Sequence, residues 1–192
     1  MSKKNTPKSS LRKKMRAHLS KIPQTSIDAA SQQICHHIVH ADALLHRAQT
    51  IAIFAAHGPE VSLEHLHHDL PEKTWVYPLC HAHSRLTFHH IPSPEELTPG
   101  MLGIREPDIQ QHTEVALSRI DLILCPGVAF GHDGTRLGQG GGYYDRILHS
   151  FHGIACGIAM TDQITDDILH EAHDIHMDYL VTEQGLQSTK LP

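Results

Sequence analysis

Leu11, Met15 and Leu19 recur every four residues among basic and polar neighbours, so residues 8–19 are expected to form a helix with one apolar stripe and basic outer faces. Pro23 interrupts that pattern. A second helix is expected over 26–45, burying Ile27, Ile34, Ile38, Leu44 and Leu45. The apolar, partly β-branched run 50–56, closed by Gly58 and Pro59, predicts a buried strand followed by a loop. Helix 63–69 comes next, then strands 74–79 and 86–91 and a polar, proline-containing connection over 92–100. Later apolar runs predict strands at 121–126, 153–160 and 178–182, helices at 143–149 and 162–169, and a long loop over 127–142. Strands alternating with helices point to an α/β fold of three layers, with a central, mostly parallel sheet flanked by helices. Without a repeat or a long linker, residues 1–192 read as one domain, large enough to bury a substantial core.

Composition narrows the setting. With 40% hydrophobic and 19% charged residues, the chain reads as soluble and globular rather than disordered. A net charge of −5, counted with histidine neutral, suggests no nucleic-acid partner, although the 20 histidines would move the balance toward positive below neutral pH. Cys35, Cys80, Cys125 and Cys156 are widely spaced and form no Cys-x-x-Cys pair. A zinc ribbon or thioredoxin-type centre is therefore unsupported, and a reducing cytoplasm suits the thiols better than a disulfide framework. Residues 1–10 are basic and polar with no apolar segment behind them, and no run approaches the roughly 20 apolar residues of a membrane helix. A cytoplasmic protein without a membrane partner is expected.

Histidines cluster at 36–37, 65–68, 81–83 and 89–90. Imidazoles so spaced can share a metal ion, but these are scattered over several expected elements without nearby cysteines. A bias that places histidine where lysine, arginine or glutamine would serve is the simpler reading.

The densest chemistry lies in Arg136-Leu137-Gly138-Gln139-Gly140-Gly141-Gly142-Tyr143-Tyr144-Asp145. Glycines remove the side chains that keep a ligand off the backbone and permit positive φ, so successive N–H groups can converge on an anion. Arg136 supplies a planar fork for phosphate oxygens. Asp145 would repel a phosphate beside it, and a magnesium ion between the two would resolve the conflict, since Mg²⁺ is commonly held by one or two carboxylates plus substrate phosphates. The loop is neither a Walker A sequence nor a Gly-x-Gly-x-x-Gly turn. A plain flexible glycine turn is the bland alternative, and Tyr143 and Tyr144 could equally pack in the core.

The same stretch closely resembles the signature of the 5-formyltetrahydrofolate cyclo-ligase family. Pro126-Gly127-Val128-Ala129-Phe130, Gly103-Ile104-Arg105-Glu106-Pro107, Lys8-Ser9-Ser10-Leu11-Arg12 and the segment Phe54 to Glu60 resemble further landmarks of that family, in the same order. The resemblance implies an α/β fold related to sugar-phosphate isomerases and CoA-transferases. It also implies an ATP- and magnesium-dependent ligase of one-carbon metabolism. ATP phosphorylates the formyl oxygen of 5-formyltetrahydrofolate, N10 attacks the formyl carbon, and 5,10-methenyltetrahydrofolate forms with ADP and phosphate.

Carried onto this sequence, the family's ATP contacts fall on Lys8, Ser9, Ser10, Leu11, Arg12 and the run Arg136, Leu137, Gly138, Gln139, Gly140, Gly141, Gly142, Tyr143 and Tyr144. Folate contacts fall on Arg12, Ala55, Glu60, Gln139, Gly140, Gly141, Gly142 and Tyr143, with Glu60 accepting from the pterin N–H edge. Arg136 and Asp145 are the expected catalytic pair, and Asp145 and Asp174 the expected magnesium ligands. A monomer acting on two small molecules is expected. Gly131 stands where the family usually has Asp, and Gln139 where Tyr, Met or Arg is frequent. Two other classes remain open on the residues alone: an enzyme of this fold acting on another phosphorylated substrate, and a non-catalytic metal- or folate-binding protein.

Overall fold

In the computed structural model, which describes residues 7–100, 103–169 and 174–189, the apolar runs pair into one sheet because each can bury both its faces. Strands β1 (Thr50–Ala52), β2 (Thr74–Cys80), β3 (Leu86–His90), β4 (Thr98–Pro99), β5 (Arg105–Glu106) and β6 (Glu114–Val115) occupy the first part of the chain. β7 (Leu122–Cys125), β8 (Ala129–Phe130), β9 (Arg136–Leu137), β10 (Ile154–Ile158), β11 (Tyr179–Thr182) and β12 (Gly185–Ser188) follow. The main sheet has eight strands in the order β12-β11-β10-β7-β1-β2-β3-β6. Its centre is parallel, from β11 through β10, β7 and β1 to β2. Its margins are antiparallel, with β3 and β6 at one side and β12 at the other. β7 shows why the centre reads as a continuous apolar run: Leu122, Ile123, Leu124 and Cys125 are all buried, as a strand covered on both faces requires.

The α-helices among the described residues are α1 (Lys8–Leu19), α2 (Gln24–Val39), α3 (Asp42–Leu45), α4 (His65–Asp69) and α5 (Tyr143–Leu148), with short 3-10 turns between other elements. On one sheet face, Ile34 and Ile38 of α2 pack with Ile51, Leu122, Leu124 and Ile158. On the other, Ala52, Val76, Ile123 and Cys125 pack with Phe130 and Leu148. Alternate residues of one strand thus feed two cores, and three layers result. Leu11 and Met15 of α1 make a smaller cluster with Val128, Ala129 and Leu137, so α1 is packed on the β8–β9 hairpin.

Several expectations need correction. The helix expected over 26–45 begins at Gln24 and stops at Val39, with α3 as a separate turn. The His40 ring Nδ1 lies 2.8 Å from His36 O and caps the helix end there. No α-helix forms over 162–169, where only a 3-10 turn at Thr161–Gln163 is present. Gln163 is buried, donating to Gly127 O at 2.8 Å and accepting from Met160 N–H at 2.9 Å, while Thr165 N–H donates to Phe130 O at 2.8 Å. Those tertiary bonds, together with a local bond from Asp167 N–H to Thr165 Oγ1, take the groups a helix would use. The long loop over 127–142 contains the β8–β9 hairpin, and β12 was not anticipated.

Candidate functional site

The parallel sheet dictates where a ligand can sit. From β1 the chain moves outward to β2 on one side, whereas β7, β10 and β11 build outward on the other. The crevice beyond the carboxyl ends of β1 and β7 is therefore the topological switch point, where α/β sheets bind ligands. A cavity of about 290 Å³ opens there, lined by Phe54 and Ala55 after β1, Pro78 and Cys80 from β2, and Pro126 and Gly127 after β7. Arg136, Gly138–Gly142, Tyr143, Tyr144 and Asp145 form another wall, and Glu60, Leu86, Ile104 and Glu106 complete it.

Arg136 is the organising cation. It is 7% exposed, and its Nη1 donates to Pro126 O at 3.1 Å and its Nη2 to Asp145 Oδ1 at 2.5 Å. The guanidinium also lies over the Tyr144 ring, 5.4 Å from its centroid. Its Nε is buried without a hydrogen-bond partner among the described residues, an orphan donor that costs about 1–3 kcal/mol until something accepts from it. Burial pushes the Tyr144 hydroxyl well above its ordinary range, so that ring stays neutral beneath the cation.

The glycine-rich stretch is shaped from both ends. Gly140 and Gly142 have φ of 101° and 70°, values that favour glycine, and Gly142 leads directly into α5. Among the described residues, none of the N–H groups from Gly138 to Gly142 donates to another backbone carbonyl. On the outside, α1 grips the loop: Arg12 Nε donates to Gly138 O at 2.8 Å. Arg16 Nη2 donates to Gln139 O at 2.8 Å and to Gln139 Oε1 at 2.7 Å. The Gln139 side chain also faces Glu60. Gly131, where the family usually carries Asp, has a local explanation: a Cβ there would meet Asp133 Oδ1 at 2.6 Å, and that carboxylate accepts Thr135 N–H and Oγ1–H.

Besides Asp145, two carboxylates, Glu60 and Glu106, stand in an otherwise mostly apolar cavity. Glu60 Oε2 accepts the His57 N–H at 3.1 Å. Burial raises its pKa above the ordinary carboxylate value, with the His57 and Gln139 contacts opposing. Glu106, 5% exposed, accepts the Cys80 N–H at 3.1 Å. The Cys80 thiol is pushed up to about 12, by burial first and then by the hydrogen bond and charge of Glu106. It stays protonated and is no nucleophile.

The structure thus brings Ala55, Glu60, Arg136, Gly138, Gln139, Gly140, Gly141, Gly142, Tyr143, Tyr144 and Asp145 to one cavity. Lys8, Ser9, Ser10, Leu11, Arg12, Leu137 and Asp174 lie outside its lining. Leu11 and Leu137 are core residues, Ser9 and Ser10 are exposed, and Arg12 acts on the loop from behind. Lys8 Nζ binds both oxygens of Asp174 at 2.8 Å, an ion pair between α1 and the segment before β11. Asp145 fits a magnesium ligand better than Asp174 does: its side chain is half exposed at the rim, and only Oδ1 meets Arg136. Among the described residues no three His, Cys, Asp or Glu side chains are grouped to hold a metal ion. Cys80 and Leu86 carry no motif, and Phe54 and Glu106 are legible only as members of one; tertiary folding carries the ends of β2, β3 and β5 to the loop.

Comparison with known proteins shows the family and the fold. The pattern of the 5-formyltetrahydrofolate cyclo-ligase family matches residues 4–183. The 5-formyltetrahydrofolate cyclo-ligase of Escherichia coli K12 is 33% identical over 146 residues, covering 70% of this chain and 78% of its own. That of Haemophilus influenzae is 29% identical over 171 residues, covering 85% and 89%. The NMR structure of Aquifex aeolicus 5,10-methenyltetrahydrofolate synthetase superposes with a TM-score of 0.83 at 29% identity, over 97% of this chain and 95% of that one. With the family pattern matching residues 4–183 and the NMR structure superposing over 97% of the chain, this chain belongs to the 5-formyltetrahydrofolate cyclo-ligase family.

Proposed function

We propose that the cavity at the β1–β7 crevice binds 5-formyltetrahydrofolate beside ATP and converts it to 5,10-methenyltetrahydrofolate, releasing ADP and phosphate. The observation that carries this reading is the convergence of Ala55, Glu60, Arg136 and the run 138–145 on one cavity of about 290 Å³. The apolar walls take the flat faces of the pterin, and Glu60 accepts from its donor edge. Backbone N–H groups of Gly138–Gly142 and the Arg136 fork take phosphate oxygens.

The reaction demands little proton chemistry from the protein. The formyl oxygen takes the γ-phosphoryl group of ATP as the bond to the β-phosphate oxygen breaks. N10 then attacks the formyl carbon, and the C–O bond breaks with phosphate as the leaving group, the N10 proton departing with the phosphate. Arg136 and the loop N–H groups stabilise charge gathering on the phosphoryl oxygens, and Tyr143 and Phe54 keep water away. Asp145 would hold magnesium, whose charge would neutralise the phosphates. Lys8 is set by Asp174, so its contribution to ATP is electrostatic and at longer range.

Incubation with 5-formyltetrahydrofolate and Mg-ATP tests the reading through the near-ultraviolet absorbance of the methenyl product. Stoichiometric ADP release with that absorbance is expected. Turnover of neither substrate at saturating concentrations would overturn it.

A further inference from the structure

The β2–β3 hairpin carries polar residues that the proposed chemistry does not use. His81 Nε2 lies 2.7 Å from Thr87 Oγ1, Thr87 Oγ1 lies 3.0 Å from His89 Nε2, and His89 Nδ1 lies 3.0 Å from His112 O. Thr87, His89 and His112 are all buried.

Their partners decide where each hydrogen sits. A carbonyl oxygen only accepts, so His89 holds its hydrogen on Nδ1, and in the neutral ring Nε2 accepts. Thr87 therefore donates to His89 and accepts from His81 Nε2–H. His112 Nδ1 accepts the Asp108 N–H at 3.0 Å, which places the His112 hydrogen on Nε2, 3.1 Å from Glu96 Oε2. With neutral rings the chain has one consistent hydrogen assignment from end to end.

Its near end reaches the cavity. The Tyr143 hydroxyl donates to the backbone carbonyl of His81 at 3.2 Å, and Tyr143 lines the cavity wall at the start of α5. Between His81 and Thr87 the hairpin tip carries two consecutive non-glycine residues with left-handed backbone, His83 at φ 58° and Ser84 at φ 57°. Such a tip persists only where its surroundings hold it.

We propose that Thr87 is a positioning residue: the His81–Thr87–His89 chain holds the hairpin tip so that the His81 carbonyl seats Tyr143 in the cavity wall, and protonation of the chain releases it. The consequence for catalysis rests on the cavity being the formylfolate site, but the chain itself does not. A proton taken up at His81 Nδ1 leaves the Nε2–H donor to Thr87 in place, but it puts a positive charge beside Arg85 and the His89 ring at the base of the tip, and that repulsion works against the chain's geometry.

The surrounding charges set the direction. His81 faces Arg85 and His89, with Glu114 and Glu106 opposing them. Across the sheet His89 stands opposite Tyr77 on β2 and Glu114 on β6. Burial, first, and then Arg85 and His89 lower the His81 pKa from 6.5. A histidine held low stabilises the fold while neutral, so the support is complete above 6.5 and is lost as pH falls through the lowered value. Acid loosens the tip.

Protein labelled with carbon-13 at tyrosine, compared as wild type, Thr87→Val and Thr87→Ser, tests this without any ligand. The Tyr143 ring signal, assigned with Tyr143→Phe, is expected to move on acidification of the wild type. It should already lie at its acid position in Thr87→Val at pH 7.5, and return in Thr87→Ser, which restores the hydroxyl. The KM for 5-formyltetrahydrofolate should rise about tenfold in Thr87→Val with little change in kcat, the signature of a mispositioned wall. A Tyr143 signal identical in wild type and Thr87→Val, or Thr87→Ser behaving like Thr87→Val, overturns the proposal. If the Tyr143 shifts follow expectation but the wild type makes no methenyl product, the functional reading falls and the positioning chain stands.

Discussion

Two regions of this molecule stand out in the sequence by composition alone: the glycine-rich run after β9, and the histidines of α2 and α4. Both border a cleft. The histidine cleft, lined by His36, His40, His65 and His68, is the larger, at about 690 Å³ against about 290 Å³. Size therefore does not separate them. What separates them is convergence. The smaller cavity gathers a buried cation, three carboxylates, bare backbone and aromatic faces from segments as far apart as Phe54 and Asp145, at the sheet's switch point. The larger one is lined by two neighbouring helices alone, with four histidines among its eight residues, and one of its rings caps its own helix. A site is made by unlike groups meeting with their own partners already fixed.

The sharpest way to break that contrast is Arg136→Ala. It removes the fork that holds Asp145 and Pro126 O, along with the orphan donor beneath the loop. A loss of about a thousandfold in kcat/KM is expected, in the range seen when one preorganised donor to a transition-state oxyanion is removed. Product absorbance under subsaturating folate measures it, and a loss below tenfold would remove Arg136 from the phosphate site.

Glu60→Gln comes next and separates function from stability. Loss of a charged acceptor to the pterin edge should raise the folate KM about 30-fold, while the KM for ATP changes little. Because burial raises the Glu60 pKa above 4.5, its contribution to stability is complete below that value and is lost as pH rises through the raised one. The ligand-free Gln variant should therefore melt at a higher temperature than wild type at pH 7.5 and at a similar temperature near pH 4. Calorimetry that found the variant less stable at both pH values would contradict the assigned burial.

The parallel centre of the fold was legible because β1, β7 and β10 carry apolar runs that report burial on both faces. The margins were not. β6 and β12 are short and partly exposed, so their pairing depends on neighbours rather than on pattern. Residues 162–169 carry helix-compatible spacing, yet Gln163 is recruited by the carbonyl of Gly127, 36 positions away. In the site, motif residues were legible because Arg136 and the glycines are adjacent in sequence. Glu106 was seen only as part of a motif, and its place in the cavity wall depends on how β5 meets β2. Lys8 and Asp174 were both singled out, but only the fold pairs them.

Arg16→Ala probes the grip of α1 on the loop and should have a smaller effect. Its bonds to Gln139 lie at the surface, where such contacts contribute little. A rise of about threefold in the KM for ATP is expected, with a smaller rise in Gln139→Ala, which keeps the Arg16 bond to the Gln139 carbonyl. The double variant should match Arg16→Ala, which already removes both bonds. A double variant whose effects multiply would mean that Arg16 and Gln139 act separately.

The smallest effect sharpens the comparison most. His36 and His40 lie one turn apart on α2 with ring centroids 4.3 Å apart, the pair in the histidine cleft that looks most like a site. Both are exposed, and His40 is tied through Nδ1 to His36 O. Glutamine at both positions keeps polarity and helix propensity while removing every imidazole of that pair. Turnover should stay within twofold and unfolding free energy within about 0.5 kcal/mol, as for surface substitutions that leave no buried group unpaired. Zinc or nickel added below the histidine concentration should change neither rate in the variant nor rate in the wild type. A wild-type rate that responds to either metal, with a double variant that does not, would show that the histidine face is coupled to the cavity after all, and that convergence at the switch point is not what distinguishes the two regions.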